Sequence, residues 1–225
     1  YEKINNLKEA INIYKKLLSI KETEHILYKI SKIYYDLNDY SSSLSYLKKI
    51  LNKNSNHIQA LDLSISIYLS QKNYKEALQN IKTILNNDVN KNYYKYYAGV
   101  CEFNLKNYEN TINIFNSIKN YEEKANDIKF YLATSYYKTN DYKNAIKFYD
   151  EIKDIKNYDV LNELINSYIQ LSQKENKLEN LLSAYSLDNK NLDVIYNLAN
   201  EYKKQNDIKN AITYFLKLDE QNENY

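Results

Sequence analysis

The chain of 225 residues holds one Gly and no Pro, Met, Trp or Arg, against 27 Tyr and 35 Asn. Average usage is about 7% Gly and about 5% Pro, so almost nothing here supplies the positive or fixed φ angles that turn-rich sandwiches, barrels and phosphate loops require. A net charge of +2 gives no global field toward nucleic acid or anionic membrane, a single Cys excludes an internal disulfide framework or a Cys-rich zinc site, and 44% hydrophobic residues are ample for a core.

In chain order, residues 1–23 are predicted to end a helical hairpin, with Leu7, Ala10 and Tyr14 along one face of its last helix. Six further hairpins start near 24, 58, 92, 126, 158 and 192. In the first, Leu27, Ile30, Tyr34 and Leu37 recur at helical spacing, Asn38-Asp39 makes the turn, and Tyr40, Ser43 and Leu47 mark the second helix. The second repeats this with Tyr68, Lys72-Asn73, Tyr74, Ala77 and Ile81. The third has Glu102 in place of the Tyr, then Lys106-Asn107, Tyr108, Thr111 and Phe115. The fourth has Leu132-Ala133, Tyr136, Asn140-Asp141, Tyr142, Ala145 and Tyr149. The fifth, with Tyr168, is two residues short and puts Lys174 and Lys177 in two core columns, which reads as drift or as a local bend. The sixth has Ile195, Leu198-Ala199, Tyr202, Asn206-Asp207, Ala211 and Phe215.

The Tyr column recurs at steps of 34, 34, 34, 32 and 34 residues from Tyr34 to Tyr202, and looks back to Tyr1. No stretch alternates with period 2, so the expected fold is all-α. After Gly, Asn is the residue most at ease in the left-handed conformation that ends a helix, so Asn is expected to stand where Gly serves elsewhere. Glu102, alone in an apolar column, must reach solvent or pair with a Lys.

A 34-residue helix–turn–helix repeat with a small residue, then Tyr, later Ala, then an aromatic, resembles the tetratricopeptide repeat (TPR) family. The resemblance covers essentially the whole chain and implies a single domain over 1–225. Its expected form is a right-handed superhelical solenoid of antiparallel helix pairs, six repeats plus a preceding helix. The position that carries Pro in the family holds Ser55, Val89, Glu123, Asn157 and Asn189, so helix ends are expected to rely on Asn-rich caps. The chain also reads as a piece of a longer one, because Tyr1 falls inside a helical pattern.

Chemistry has little to work with. His25 and His57 lie in different repeats with no partner at ligand spacing and are expected at the surface, Cys101 is expected to be a buried inert thiol, and no nucleophile elbow, HExxH or Walker loop occurs. The expectation is therefore a protein that is not an enzyme and holds no cofactor or metal.

In the TPR resemblance the first helices line a concave groove with the residues nine, six, five and two before the Tyr column and one after it. The middle repeats place Tyr93, Tyr96, Tyr97, Val100, Phe103, Phe130, Tyr131 and Tyr137 there, and the last two place Asn162, Asn166, Asn197 and Asn200. Aromatic rings anchor interfaces at low entropy cost, and amides can pair with an extended backbone. The same positions hold Asp62, Thr134, Glu163 and Tyr196 elsewhere. Asn166 and Asn197 match two places of the family's clamp for a C-terminal carboxylate, but Asp159 and Asn162 stand where cations are needed, so no such clamp is expected.

The resemblance thus implies a protein or peptide partner, with no nucleic acid and no membrane contact from this segment, and open solenoid ends that could self-associate. Two other readings remain: an RNA-binding helical array, disfavoured by the period of 34 and the near-neutral charge, and the recognition arm of an enzyme whose catalytic domain lies elsewhere. No targeting segment fixes a compartment, with the cytoplasm as the default.

Overall fold

The computed structural model describes residues 2–87, 91–152 and 158–222, with side chains described for 6–86, 91–152 and 160–220. Tyr1, Val89, Asn157 and the side chain of Asp159 lie outside the described residues. The described chain is all-α: α1 (Glu2–Ile20), α2 (Glu24–Asp36), α3 (Tyr40–Lys53), α4 (Ile58–Ser70), α5 (Tyr74–Asn87), α6 (Asn92–Asn104), α7 (Tyr108–Asn116), α8 (Ala125–Lys138), α9 (Tyr142–Asp150), α10 (Tyr158–Ser172), α11 (Lys177–Leu187), α12 (Leu192–Lys204) and α13 (Ile208–Asn222). A 3-10 turn at Glu122–Lys124 leads into α8. First helices begin within one residue of every expected hairpin start.

Two compact units divide the chain. The first comprises residues 1–110 and 114–119, the second 111–113 and 120–225. Within the first, each helix from α1 to α6 packs on its chain neighbours, and within the second the same holds from α8 to α13. The cores are built from the expected columns. Leu27, Leu47, Ile50 and Ile67 form one cluster and Leu61, Ile65, Ile81, Ile84 and Ala98 another in the first unit. In the second unit, Ala133, Ala145, Tyr149 and Leu164 form one, and Ile165, Leu181, Ala184, Val194 and Leu198 the next. Small residues let paired helices approach closely: Ser43 lies so near α2 that its hydroxyl donates to the Ser31 carbonyl at 2.8 Å.

Each two-residue turn divides its labour. The first residue takes the left-handed conformation: Asn38, Lys72, Lys106, Asn140 and Asn206 have φ of 60°, 58°, 63°, 62° and 62°. The backbone N–H of the second then reaches five residues back to the carbonyl of the Tyr column, at 2.9 Å for Asp39 to Tyr34 and 2.8 Å for Asn73 to Tyr68. Asn107 to Glu102, Asp141 to Tyr136 and Asp207 to Tyr202 repeat it at 2.9 Å. This Schellman closure satisfies the orphan carbonyls of the first helix. The second residue also caps the next helix where it is Asp: Asp39, Asp141 and Asp207 accept from the N–H three residues on. The expectation of Asn at the left-handed site is therefore corrected at two turns, where Lys72 and Lys106 occupy it. Where Pro would end a repeat, Asn54 and Asp188 turn extended and their side chains accept from Asn56 and Lys190 N–H, at 3.2 and 3.0 Å.

The fifth repeat departs from the expected register. After α10 the left-handed residue is Asn176, with φ 46°, and α11 starts only at Lys177. Lys174 lies exposed in the turn, and Lys177, the first residue of α11, takes the column counted for Lys174 and pairs with Glu201 at 2.9 Å. The small column counted for Lys177 passes to Asn180, whose amide donates to the Glu175 carbonyl at 2.8 Å, and the large column counted for Leu181 passes to Ala184. A shift of three residues rotates a helix by about 300°, close enough to a full turn that Leu181 stays buried as well.

Candidate partner-binding surface

In the first unit, α6 carries Tyr93, Tyr96, Tyr97, Val100 and Phe103. Residues spaced three and four apart share one face of a helix, but these rings do not share one environment. Tyr93 is 46% exposed, whereas Tyr96 is only 7% exposed and packs against Phe115 at 6.1 Å between ring centres. Tyr97 bridges the two, edge-on to Tyr93 at 4.9 Å and to Tyr96 at 5.2 Å. Val100 and Phe103 are half-buried, and Phe103 meets Tyr108 edge-on at 5.8 Å. The surface that solvent reaches is thus Tyr93 with the outer parts of Tyr97, Val100 and Phe103.

Tyr94 sits beneath this face. Its hydroxyl donates to Asp62 on α4 at 3.0 Å, tying the third repeat to the second, and Lys91 lies over its ring at 5.8 Å. Burial first, then the Asp62 carboxylate, push its hydroxyl up to about 12. The strut was readable in principle: Tyr94 interrupts the apolar column Ile26, Ala60, Ile128, Val160 and Val194.

In the second unit, Phe130 and Tyr131 are half-buried and edge-on at 5.5 Å, and Tyr137 meets Tyr142 at 6.1 Å under the Lys138 ammonium at 4.9 Å. Asn162 is half-buried and Asn166 exposed. Asn197 and Asn200 each give one amide hydrogen to a carbonyl one turn back, Asp193 at 2.7 Å and Tyr196 at 2.9 Å. The groove positions also hold a polar network: buried Tyr149 donates its hydroxyl to Glu163, lies 3.2 Å from the Thr134 hydroxyl, and Glu163 takes Lys138 at 2.8 Å. Burial and the Glu163 carboxylate raise the Tyr149 hydroxyl well above its ordinary value.

The remaining sequence candidates are structural. His25 is exposed, as expected. His57, expected at the surface, is instead the N-cap of α4: its Nδ1 accepts from Ala60 N–H at 3.2 Å and its Nε2 faces Glu24 at 3.8 Å. No Ser, Thr, Asn or Asp stands at that position, so the imidazole takes the capping role. Cys101 is fully buried, and burial pushes its thiol up to about 12, far from the thiolate that reactivity needs. Glu102 is 3% exposed and paired, with Lys82 at 3.2 Å and the Asn107 amide donating at 2.7 Å. Among the described residues no group of His, Cys, Asp and Glu is arranged to hold a metal, and no helix is long and apolar enough to cross a membrane.

Helical hairpins in consecutive packed pairs within each unit, with polar struts between repeats, define a helical-repeat protein. Family models agree. Residues 192–225 and 127–155 match two tetratricopeptide repeat models, and residues 3–84 match the model described as anaphase-promoting complex, cyclosome, subunit 3. These matches, with the solved structures that share the fold, support a tetratricopeptide repeat family for the chain. Solved structures share the fold at low identity. YrrB, described as a TPR protein with an unusual peptide-binding site, superposes with a TM-score of 0.60 at 14% identity, over 81% of this chain and 96% of that one. A tetratricopeptide repeat protein of Parabacteroides merdae gives 0.56 at 14%, over 96% and 87%. A chain of the Naa15/Naa10 complex bound to HypK-THB gives 0.61 at 12%, over 87% of this chain and 31% of that one. No curated protein matches in sequence. The scaffold fold and the tetratricopeptide repeat matches support a protein-interaction role in general terms.

Proposed function

We propose that the chain is a scaffold without catalysis that binds an extended protein segment along its first-helix faces. The observation that carries this reading is Tyr93, nearly half exposed and held edge-on by Tyr97. A pre-ordered ring offers apolar contact area and a hydroxyl at little entropic cost. In the second unit the same role falls to Phe130, Tyr131 and Tyr137, with Asn162, Asn166, Asn197 and Asn200 supplying acceptors to backbone N–H groups. The proposal includes protein or peptide partners only, without nucleic acid, membrane, metal or cofactor. It extends to self-association, because Ile13, Leu17 and Ile20 on α1 and Ile208, Ile212 and Leu216 on α13 are exposed apolar side chains.

The test is a Tyr93→Ala, Tyr97→Ala variant measured against a peptide selected on the unmodified chain. Loss of an aromatic anchor costs about 2 kcal/mol, or about thirty-fold in Kd. Unchanged affinity with an intact helical CD spectrum removes α6 from the binding face. Tyr96 is unsuitable for this purpose, since its truncation opens the core under α6. A sedimentation coefficient independent of concentration removes the self-association.

A further inference from the structure

The Tyr column has a partner that helix pairing alone does not require. In the first, fourth and sixth repeats its ring lies flat on a ring from the second helix of the same hairpin. Tyr34 stacks on Tyr46, Tyr136 on Phe148 and Tyr202 on Tyr214, at 5.7, 5.7 and 5.5 Å with interplanar angles of 19°, 7° and 9°. A lysine ammonium lies over the outer ring each time: Lys49 over Tyr46 at 5.3 Å, Lys147 over Phe148 at 5.7 Å and Lys217 over Tyr214 at 5.4 Å. In the second repeat the residue at the same step after Tyr46 is Asn80. Tyr68 still packs on the core, but its stacking ring has been replaced by an amide.

A cleft of about 610 Å³ lies at that place, within the first unit. It runs from Ser64 and Tyr68 on α4 to Glu76 and Asn80 on α5, with Lys48 of α3 at its opposite wall. The matching cleft at the first repeat, about 560 Å³, touches Tyr34, Leu37 and Asp39 but no residue of α3. There Tyr46 fills the side that Asn80 leaves open. Lys15, which precedes Lys48 by one repeat, lies over Tyr34 at 5.7 Å.

We infer that the cleft between α3 and α5 receives a Tyr or Phe side chain from a protein segment, its ring stacked on Tyr68 in the place that Tyr46, Phe148 and Tyr214 hold in the sister repeats. Those repeats establish that a phenyl or phenol ring fits the geometry and that an ammonium belongs beside it. At the step of Lys49 and Lys217 the second repeat has Thr83, and the cation in the cleft is Lys48 of α3, the counterpart of Lys15 over Tyr34. Asn80 offers a donor pair and an acceptor to the backbone of the incoming segment. The charged residues lining the cleft are Lys48 and Glu76, one of each sign, so nothing there collects phosphates and a peptide is favoured over a nucleotide. The site uses none of the first-helix rings proposed above, so each can fail alone.

A ¹H–¹⁵N NMR titration of the whole chain with N-acetyl-tyrosinamide tests this, with N-acetyl-leucinamide and adenosine monophosphate as comparators. N-acetyl-tyrosinamide should shift amides around Tyr68 and Asn80 and saturate in the millimolar range. Binding should weaken about five-fold or more for N-acetyl-leucinamide and in the Tyr68→Leu variant. The Asn80→Phe variant rebuilds the sister-repeat stack, so it should lose the probe altogether while its Tm rises by about 2–4 °C. The inference is overturned by absent shifts at Tyr68, by equal binding of the leucine probe, or by undiminished binding in Asn80→Phe. Tighter binding of adenosine monophosphate overturns it in favour of a nucleobase site.

Discussion

In the third repeat the large column of the second helix carries Phe115, and in the fourth it carries Tyr149; both rings are buried, at 1% and 0% exposure. Their surroundings differ together. Opposite Phe115 stands Gly99, the chain's one glycine, and opposite Tyr149 stands Ala133. The third repeat has Glu102 in the Tyr column, which takes the Asn107 amide at 2.7 Å, and Asn107 makes no side-chain cap to α7. The fourth keeps Tyr136 stacked on Phe148, and Asp141 is free to cap α9 through Asn144 N–H at 3.2 Å. A ring without a polar atom asks for volume, which Gly99 gives. A ring with a hydroxyl asks for acceptors, which Glu163 and Thr134 give. One substitution in a repeat is thus answered by others in the same repeat.

The comparison breaks most visibly at Gly99. A Cβ built there would stand 2.5 Å from Phe115 Cζ and 2.7 and 2.8 Å from its ring neighbours. The ring is fully enclosed and cannot swing away, so overpacking costs about 3 kcal/mol, offset by about 1 kcal/mol of helix propensity gained over Gly. Gly99→Ala should therefore lose about 2 kcal/mol in urea unfolding. With Phe115→Leu already present the clash is gone, and the same substitution should stabilise by about 1 kcal/mol. Equal effects in both backgrounds would mean that volume is not what Gly99 supplies.

Next in size is Tyr149→Phe, which gives the fourth repeat the chemistry of the third. It removes the hydroxyl that donates to Glu163 and meets Thr134, without opening a cavity. A hydrogen bond to a charged acceptor contributes about 1.5 kcal/mol at its lower range, appropriate because Glu163 keeps Lys138 and some water. The variant should lose about that much in urea unfolding. No loss would assign the Tyr149 hydroxyl to a bystander role.

The repeat was legible because packing imposes one residue size per column and the step of 34 survives drift at single positions. The fold and every hairpin start followed from that. Column logic failed where a change of backbone length was disguised: Lys174 and Lys177 fell on core positions by count, while the turn had lengthened and moved those positions to Lys177 and Asn180. Capping by His57 was hidden because imidazole is an uncommon N-cap. The aromatic face of α6 was visible as a face, since 93, 96, 97 and 100 follow helical spacing. Which ring meets solvent was not, because the burial of Tyr96 depends on Phe115 of the following helix. Glu163 and Tyr94 were missed as struts for the same reason: their partners lie in the preceding repeat, and periodicity within one repeat says nothing about contacts between two.

The smallest expected effect separates the two turns. Lys106 in the third repeat and Asn140 in the fourth hold the left-handed conformation, at φ 63° and 62°. For a residue with a Cβ that conformation costs about 1–2 kcal/mol, and Asn bears less of the cost because its short side chain bonds locally. Gly removes the strain but enlarges the unfolded ensemble, which returns part of the gain. Lys106→Gly should therefore stabilise by about 0.5–1 kcal/mol and Asn140→Gly by a few tenths at most, about 2 °C against almost nothing in Tm. The closure on each side is the same pair of backbone bonds, Lys106 and Asn107 to Phe103 and Glu102 in one turn, Asn140 and Asp141 to Tyr137 and Tyr136 in the other. Any difference between the two substitutions then reports the side chain alone. Equal gains would mean that Asn holds no advantage over Lys at the left-handed site, and that the recurrence of Asn at these turns reflects the cap at the next residue instead.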